Sequence, residues 1–417
     1  MKITTVSYSD SFGGAARAAY RIHQALRQAD VDSTMIVKHA KIGDWTIQRV
    51  QDSMASRLID RLGGAISRRI TRHANLAANS YHSLAIVPTA LPQFFNNSTS
   101  DLVHLHWINN EMLSIRDIGK IRKPLIWTLH DQWAFCGTEH FSENLRFSNG
   151  YEEVDPYHNI LGFDLSRWTW KRKARNWKFP ISIVSPSKWL ADQARRSTLM
   201  RNWPIDVIPN PIDIAAWQPM NSELAREILQ LPQHVPIILF GAWNGTTDHG
   251  KGFDLLVNAL RILVPKIPKL NLVIFGESSP KTPLNLGIQT HYIGRLSDSI
   301  SLRILYCAAD ATVVPSRHES FGQTASESHA CGTPVVAFNT SGLKDIVEHQ
   351  QTGFLAEPFD ALDLANGIEW TLSNQDRHKS ISVNARRRAV ENWSYEVVAS
   401  AYRTRFEGIL NSRVISF

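Results

Sequence analysis

Two carboxylates eight positions apart, Glu319 and Glu327, stand in the run V-V-P-S-R-H-E-S-F-G-Q-T-A-S-E-S-H-A-C-G-T-P-V-V, which fills residues 313–336. If every residue between them were helical, they would lie roughly 12 Å apart. One acid could then hold the hydroxyls of a sugar and the other those of a ribose, with a diphosphate between them. The amides of Phe321, Gly322 and Gln323 at the helix start would face that diphosphate, because a helix N-terminus attracts anions. Lys251, in Gly250-Lys251-Gly252-Phe253-Asp254, is a mobile cation at a second helix start and suits the same phosphates. The bland alternative is that Glu319 and Glu327 are solvated acids near a helix start, where acids are favoured anyway.

These groups need a scaffold, and the neighbouring pattern supplies one. Residues 311–314 are short, apolar and β-branched and end at Pro315, which reads as a parallel strand buried on both faces. A helix capped by Ser320 or a neighbour should follow, with Gly322 allowing close approach of a ligand and Gly332-Thr333-Pro334 turning into a strand over 335–338. Glu319 then sits at the carboxyl end of a strand, where open α/β sheets bind ligands. Strand signals recur at 1–6, 34–37, 102–106, 124–129, 181–184, 236–240 and 272–275. Polar residues gather after two of them, Trp107-Ile108-Asn109 and His130-Asp131-Gln132-Trp133. The first strand runs into Gly13-Gly14 and an alanine-rich helix. Asp30-Val31-Asp32 spells the D-x-D associated with metal-dependent sugar transfer, but it joins a helix to a strand and reads as a connecting turn.

At 417 residues the chain is too long for one compact core and implies two domains of roughly 200 residues each. Forty-five basic against 38 acidic residues give a net charge of +7, which suits anionic partners without choosing among nucleotides, lipid surfaces and nucleic acid. With no leader-like segment and no apolar run of membrane-spanning length, the expectation is a cytoplasmic protein. Cys136, Cys307 and Cys331 are far apart in sequence and read as reduced and structural.

Two stretches mix basic and apolar character. Residues 57–73 pair arginines with Leu58, Ile59, Leu62, Ile66 and Ile70, and either lie on an anionic membrane or cover a core. Residues 166–178 interleave Lys and Arg with three tryptophans, a mixture that fits a core cover, a lipid headgroup surface or single-stranded nucleic acid, in that order.

The E-x7-E spacing, the intervening S-F-G and the C-G-T-P-V-V strand closely resemble the signature of the family-4 retaining glycosyltransferases of the bacterial polysaccharide-biosynthesis type. The resemblance covers nearly the whole chain. It implies an α/β GT-B fold, two Rossmann-like doubly wound domains facing an interdomain cleft. The expected divisions are 1–207 for the acceptor-side domain, 208–390 for the donor-binding domain and 391–417 for a helix returning to the first. V-I-P-N-P-I-D at 207–213 resembles the family linker, with Pro211 where glycine is usual.

By the same resemblance, the activity is transfer of a hexosyl group, with retention, from a nucleoside diphosphate sugar to a saccharide or lipid-linked saccharide. The setting is polysaccharide or lipopolysaccharide assembly at the inner face of the cell membrane. Glu319 would hold the donor sugar and Glu327 the ribose. Lys251 and the amides of Phe321, Gly322 and Gln323 would hold the diphosphate, and Leu296 and Asp298 the base. Gly14 would close over the phosphates from the first domain. His130, in T-L-H-D-Q-W-A-F, matches the position whose imidazole meets the transferred sugar and the acceptor.

Relatives commonly carry Arg after the glycine that ends the first donor-domain strand. Here that strand ends in Gly241-Ala242-Trp243, so either Lys251 and the helix amides act alone or a cation elsewhere, with Arg317 and His249 the nearest in sequence, takes the second place. No metal and no cofactor are expected, and no nucleic-acid partner. Two rival readings are a GT-B nucleotide-sugar epimerase and a non-catalytic module that binds nucleotide or RNA.

Overall fold

The computed structural model describes residues 1–50, 54–73, 80–153, 155, 163–241, 245–280, 285–296 and 298–414, without the side chains of 54–61, 73, 413 and 414. The chain forms two compact units, Met1–Pro209 with Val398–Phe417, and Asn210–Val397.

The first unit contains β1 (Lys2–Ser9), α1 (Gly13–Gln28), β2 (Asp32–His39), β3 (Ile47–Arg49), α2 (Met54–His73), α3 (Leu91–Asn97), β4 (Leu102–Leu105) and α4 (Ile115–Ile118). It continues with β5 (Leu125–Thr128), α5 (Leu165–Asn176), β6 (Ser182–Ser185), α6 (Lys188–Arg196) and β7 (Ile205–Val207). Its strands form one parallel sheet in the order β3-β2-β1-β4-β5-β6-β7. Parallel strands are covered on both faces, so they read as apolar runs without alternation. Val6, Val103, Leu105 and Trp127 pack into one core, and Ile3, Leu102, Ile126 and Val184 into another.

The second unit contains α7 (Ser222–Ile228), β8 (Ile237–Gly241), α8 (Phe253–Leu263), β9 (Asn271–Phe275), β10 (Gln289–Gly294), α9 (Ser299–Ala308), β11 (Ala311–Val314) and α10 (Gln323–Ala330). Then come β12 (Val335–Phe338), α11 (Leu343–Ile346), β13 (Gly353–Ala356), α12 (Ala361–Leu372) and α13 (Gln375–Trp393). Its parallel sheet runs β10-β9-β8-β11-β12-β13. The last helix, α14 (Tyr395–Val414), joins the first unit from Val398 onward, where Val398, Tyr402 and Phe406 complete the second of its cores.

The two basic stretches fold in opposite senses. In α5, Lys173 is fully buried, its ammonium 3.8 Å from the Trp133 ring centre and donating to the carbonyls of Trp133, Cys136 and Gly137. Trp177 is buried too and donates its indole N–H to the Ile115 carbonyl. The helix therefore works mainly as a core cover. In α2 the apolar residues Leu62, Ile66 and Ile70 are exposed instead. Gly63 and Ser67 face the protein: a Cβ on Gly63 would meet Val87 Cγ2 at 2.4 Å, and Ser67 donates to Glu111. All three cysteines are free and buried, and Asp30 sits in a turn with positive φ just before β2.

Candidate functional site

β11 lies at the middle of the second sheet, paired with β8 and β12, and Pro315 ends it. The backbone then loops to Gly322, which has φ +101 and on which a Cβ would meet Leu343 Cδ2 at 2.9 Å. Glycine is required there on both counts. It also takes the N-cap position of α10, so the expected Ser320 cap is replaced: Gly322 makes no side-chain cap, and the Ser320 hydroxyl is buried without a partner among the described residues. A helix start with no capping side chain directs its amide N–H groups outward. The Phe321 ring is buried edge-on to Trp393 and anchors the loop that carries those amides.

Glu319 lies in this loop, ahead of the helix. Its Oε1 accepts from Lys251 Nζ at 2.7 Å and from Ser316 Oγ at 3.0 Å. Its own amide donates to Ser341 Oγ, and its carbonyl accepts from the Gly342 amide. Lys251 comes from a single 3-10 turn, His249–Lys251, with Asp248 accepting from the Gly250 amide. Gly252 follows at φ +68, and a Cβ on it would fall 1.9 Å from the Pro315 carbonyl, so the lysine turn presses directly on the end of β11. Burial disfavours the Lys251 charge, yet the Coulomb attraction and hydrogen bond of Glu319, with Asp248 behind, outweigh it and raise the ammonium pKa. Gly241, Lys251, Ser316, Glu319 and Thr324 line one small pocket.

Arg317 is committed elsewhere. Its guanidinium holds both oxygens of Asp254, at 2.9 and 2.7 Å, and the His249 carbonyl, while its amide donates to the Gly250 carbonyl. It thereby fastens the Lys251 turn to the loop.

The other expected donor residues are placed less openly. Glu327 is 4% exposed on the inner side of α10 and accepts from the Tyr306 hydroxyl at 3.1 Å, whereas the Glu319 side chain is 19% exposed. Asp298 caps α9, accepting from the Ser301 amide at 2.7 Å, and that bond holds its carboxyl below the usual range. Leu296 packs against the core beneath. Gly241 closes β8 with its α-carbon against Phe275, where a Cβ would come within 2.1 Å of the ring. Ala242 and Trp243, which follow it, lie outside the described residues.

In the first unit, Gly14 opens α1 directly after Gly13, which has φ +84. His130 follows β5, and its Nε2 lies 3.0 Å from Nδ1 of His106, which follows β4. Burial pushes the His130 imidazolium down to about 4, so the ring is neutral near pH 7. Beside it, Asp131 Oδ2 accepts from the Trp107 indole at 2.8 Å and from His140 Nδ1 at 2.6 Å, and Oδ1 accepts from the Trp133 amide. Burial opposes this carboxylate, but His140 and the hydrogen bonds outweigh it and lower its pKa. Three residues beside these groups, His106, Ser316 and Ser341, stand outside those expected from the sequence. His106 had a signal, the H-L-H alternation at a strand end. Ser341 had none, because its contact depends on two loops meeting.

Two family profiles match: "Glycosyltransferase Family 4" over residues 12–216 and "Glycosyl transferases group 1" over 222–388. Among curated relatives, the D-inositol 3-phosphate glycosyltransferase of Xylanimonas cellulosilytica is 34% identical over 198 residues, 44% of this chain and 46% of the relative. That of Thermobispora bispora is 27% identical over 320 residues, 70% of this chain and 68% of the relative. The chain thus spans about half the length of the first and about two thirds of the second.

Among solved structures, sucrose-phosphate synthase from Thermosynechococcus elongatus superimposes with a TM-score of 0.69 at 20% identity, covering 99% of this chain and 100% of that one. Anabaena HepE in complex with UDP-glucose does so at 0.66 and 16%, covering 98% and 100%. WaaG, a glycosyltransferase involved in lipopolysaccharide biosynthesis, gives 0.62 at 15%, covering 96% and 98%. With two parallel α/β sheets and matched profiles over both units, the chain belongs to the family-4 glycosyltransferases of the GT-B fold.

Proposed function

We propose that the protein transfers a hexosyl group, with retention, from a nucleoside diphosphate sugar to the hydroxyl of a saccharide or lipid-linked saccharide in cell-surface polysaccharide or lipopolysaccharide assembly. The observation that carries this reading is the Lys251–Glu319 pair in a pocket beside the uncapped start of α10. A cation and helix amides suit a diphosphate, and a carboxylate suits sugar hydroxyls. HepE, similar in fold, binds UDP-glucose, and WaaG acts in lipopolysaccharide biosynthesis.

In this reading the bond from the anomeric carbon to the diphosphate oxygen breaks as the acceptor oxygen bonds to that carbon on the same face. The acceptor's proton passes to the departing phosphate, so no protein nucleophile is needed. Lys251 and the α10 amides stabilise the charge that builds on the leaving group, in place of a metal ion. Glu319 orients the sugar, Glu327 the ribose, and Leu296 and Asp298 the base, while Gly14 approaches the phosphates. His130, neutral, exchanges hydrogen bonds with the sugar or acceptor without acting as a strong acid.

Peripheral contact with the inner face of the membrane belongs to the same proposal. No helix among the described residues is long and apolar enough to cross a membrane. The support is α2, whose exposed Leu62, Ile66 and Ile70 stand among exposed Arg68, Arg69 and Arg72, a composition that settles at anionic interfaces.

A thermal-shift screen of nucleoside diphosphate sugars tests the donor, since a matched ligand raises the melting temperature by mass action. The matched donor is then incubated with saccharide acceptors and the anomeric configuration of the product read by NMR. Free nucleotide with an epimerised sugar and no acceptor requirement would replace transfer with epimerisation. Binding without turnover across a broad acceptor panel would leave a binding module.

A further inference from the structure

A second concavity belongs to the first unit alone. A groove of about 1020 Å³ runs along the first unit between the end of α4, the end of α5 and α14. Its floor is made by the segments that lead into β5, β6 and β7, so it opens at the amino-terminal edge of the sheet. His106, His130 and Asp131 follow strands and sit at the opposite, carboxyl-terminal edge.

Among the described residues, four arginines and three lysines line the groove, and no Asp or Glu does. Of these cations, Arg405 is held by Asp206 at 2.8 Å, and Lys120 lies 3.9 Å from buried Asp117. Arg116, Arg175 and Lys178 are exposed along the walls. Phe179 projects beside them, 82% exposed. Like charges gathered in a concavity repel one another and destabilise the fold, a cost that a bound polyanion offsets.

We propose that this groove binds a linear polyanionic glycan, a chain of sugars bearing phosphate, sulfate or carboxylate groups. It rests on the transfer reading above, because it supplies the class of polymer whose distant end is elongated. Three observations select this occupant. The charges sit on the walls of a concavity, where a single chain reaches them and a flat bilayer does not, and α2 lies at the other edge, packed on Glu111 beyond β4. Single-stranded nucleic acid needs a series of stacking aromatics, and among the described residues the groove presents Phe179 alone, since Trp177 is buried with its indole N–H bound to Ile115. A volume at the upper end for small-molecule clefts suits several sugar units rather than one phosphate.

The test titrates the full-length protein with a heparin-derived pentasaccharide, a uridine-rich RNA of equal charge, and phosphatidylglycerol vesicles. Arg175→Glu with Lys178→Glu should weaken pentasaccharide binding at least about twentyfold, taking about fivefold per cation at a charged surface. Phe179→Ala should weaken it severalfold through lost contact with sugar faces. The nucleoside diphosphate sugar should shift the melting temperature of both variants as in the parent, and transfer to a short neutral acceptor should persist. That result separates failure of the groove from failure of the transfer reading. Unchanged pentasaccharide affinity in the double variant would overturn the proposal, as would tighter groove-dependent binding of the RNA or of the vesicles.

Discussion

Lys251 Nζ and Glu319 Oε1 form a 2.7 Å ion pair between a one-turn helix and the loop before α10, 68 positions apart in sequence. The cation is thus positioned before any phosphate arrives, and the acid is oriented by the same contact together with Ser316. Lys251→Ala should lower turnover at saturating donor by at least about tenfold, because one charge-assisted contact contributes roughly 1.5–3 kcal/mol and 1.4 kcal/mol is a factor of ten. Arg317→Ala should cost less, since that guanidinium is bound to Asp254 and the His249 carbonyl. Steady-state kinetics on both variants decide it; near-normal Lys251→Ala with inactive Arg317→Ala would reverse the roles.

Turnover should survive chelation. In the proposed reaction Lys251 with the α10 amides would supply the positive field that a bound divalent ion otherwise supplies. Assays in excess EDTA, with and without added manganese or magnesium, measure this. Activity abolished by EDTA and restored by either ion would sink it.

His106 should set the proton position on His130. Its Nε2 is buried without a partner among the described residues, and a stranded N–H there would cost more than a stranded lone pair. The proton therefore sits on Nδ1 and is donated to His130 Nε2, leaving His130 to carry its own proton on Nδ1. His106→Leu should lower kcat about fivefold to tenfold, the worth of one hydrogen bond, with little change in donor KM. His106→Gln, which can still donate, should recover part of the loss. Nitrogen-15 imidazole spectra should show the His130 tautomer moving only in His106→Leu.

Acid should destabilise the fold well above the carboxylate range. Burial holds His130 to about 4, and His104 and His329 to about 3, against 6.5 when unfolded. Below pH 6.5 the unfolded chain takes up protons that the folded chain refuses, so their contribution is complete above that pH and falls away toward about pH 4. The slope is up to about 1.4 kcal/mol per pH unit for each histidine. His329 is fully buried, with no hydrogen-bonding side chain on either ring nitrogen among the described residues and the Thr352 backbone beside it, and stacks on Trp393. His329→Met should therefore raise the urea midpoint at pH 5 relative to the parent, while leaving it close to the parent value at pH 8.

Lys173→Met should destabilise the first unit by about 3 kcal/mol, since it removes a fully buried amine from three carbonyls and leaves them without that donor. Urea titration at neutral pH reads the loss. A change within about 0.5 kcal/mol would mean that the carbonyls find other partners.

The strand, glycine and proline positions of residues 311–338 were legible in the chain itself. Residues 311–314 and 335–338 are apolar and β-branched because a parallel strand covered on both faces admits little else, and Gly322 is required where φ is positive. The two-unit organisation and the carboxyl-edge placement of His130 and Glu319 follow from the same local rules.

Direction and partnership came only from the tertiary structure. Local pattern could not say that Glu327 turns inward to Tyr306 while Glu319 meets Lys251, because both pairings span 21 or more positions and depend on how strands align. Nor could it say that Lys173 and Trp177 point into the core while Leu62, Ile66 and Ile70 point out of it. A basic amphipathic helix has the same periodicity whichever side it buries, and what decides is which face finds a partner: Val87 and Glu111 meet the Gly63 and Ser67 side of α2, and three carbonyls meet the Lys173 side of α5.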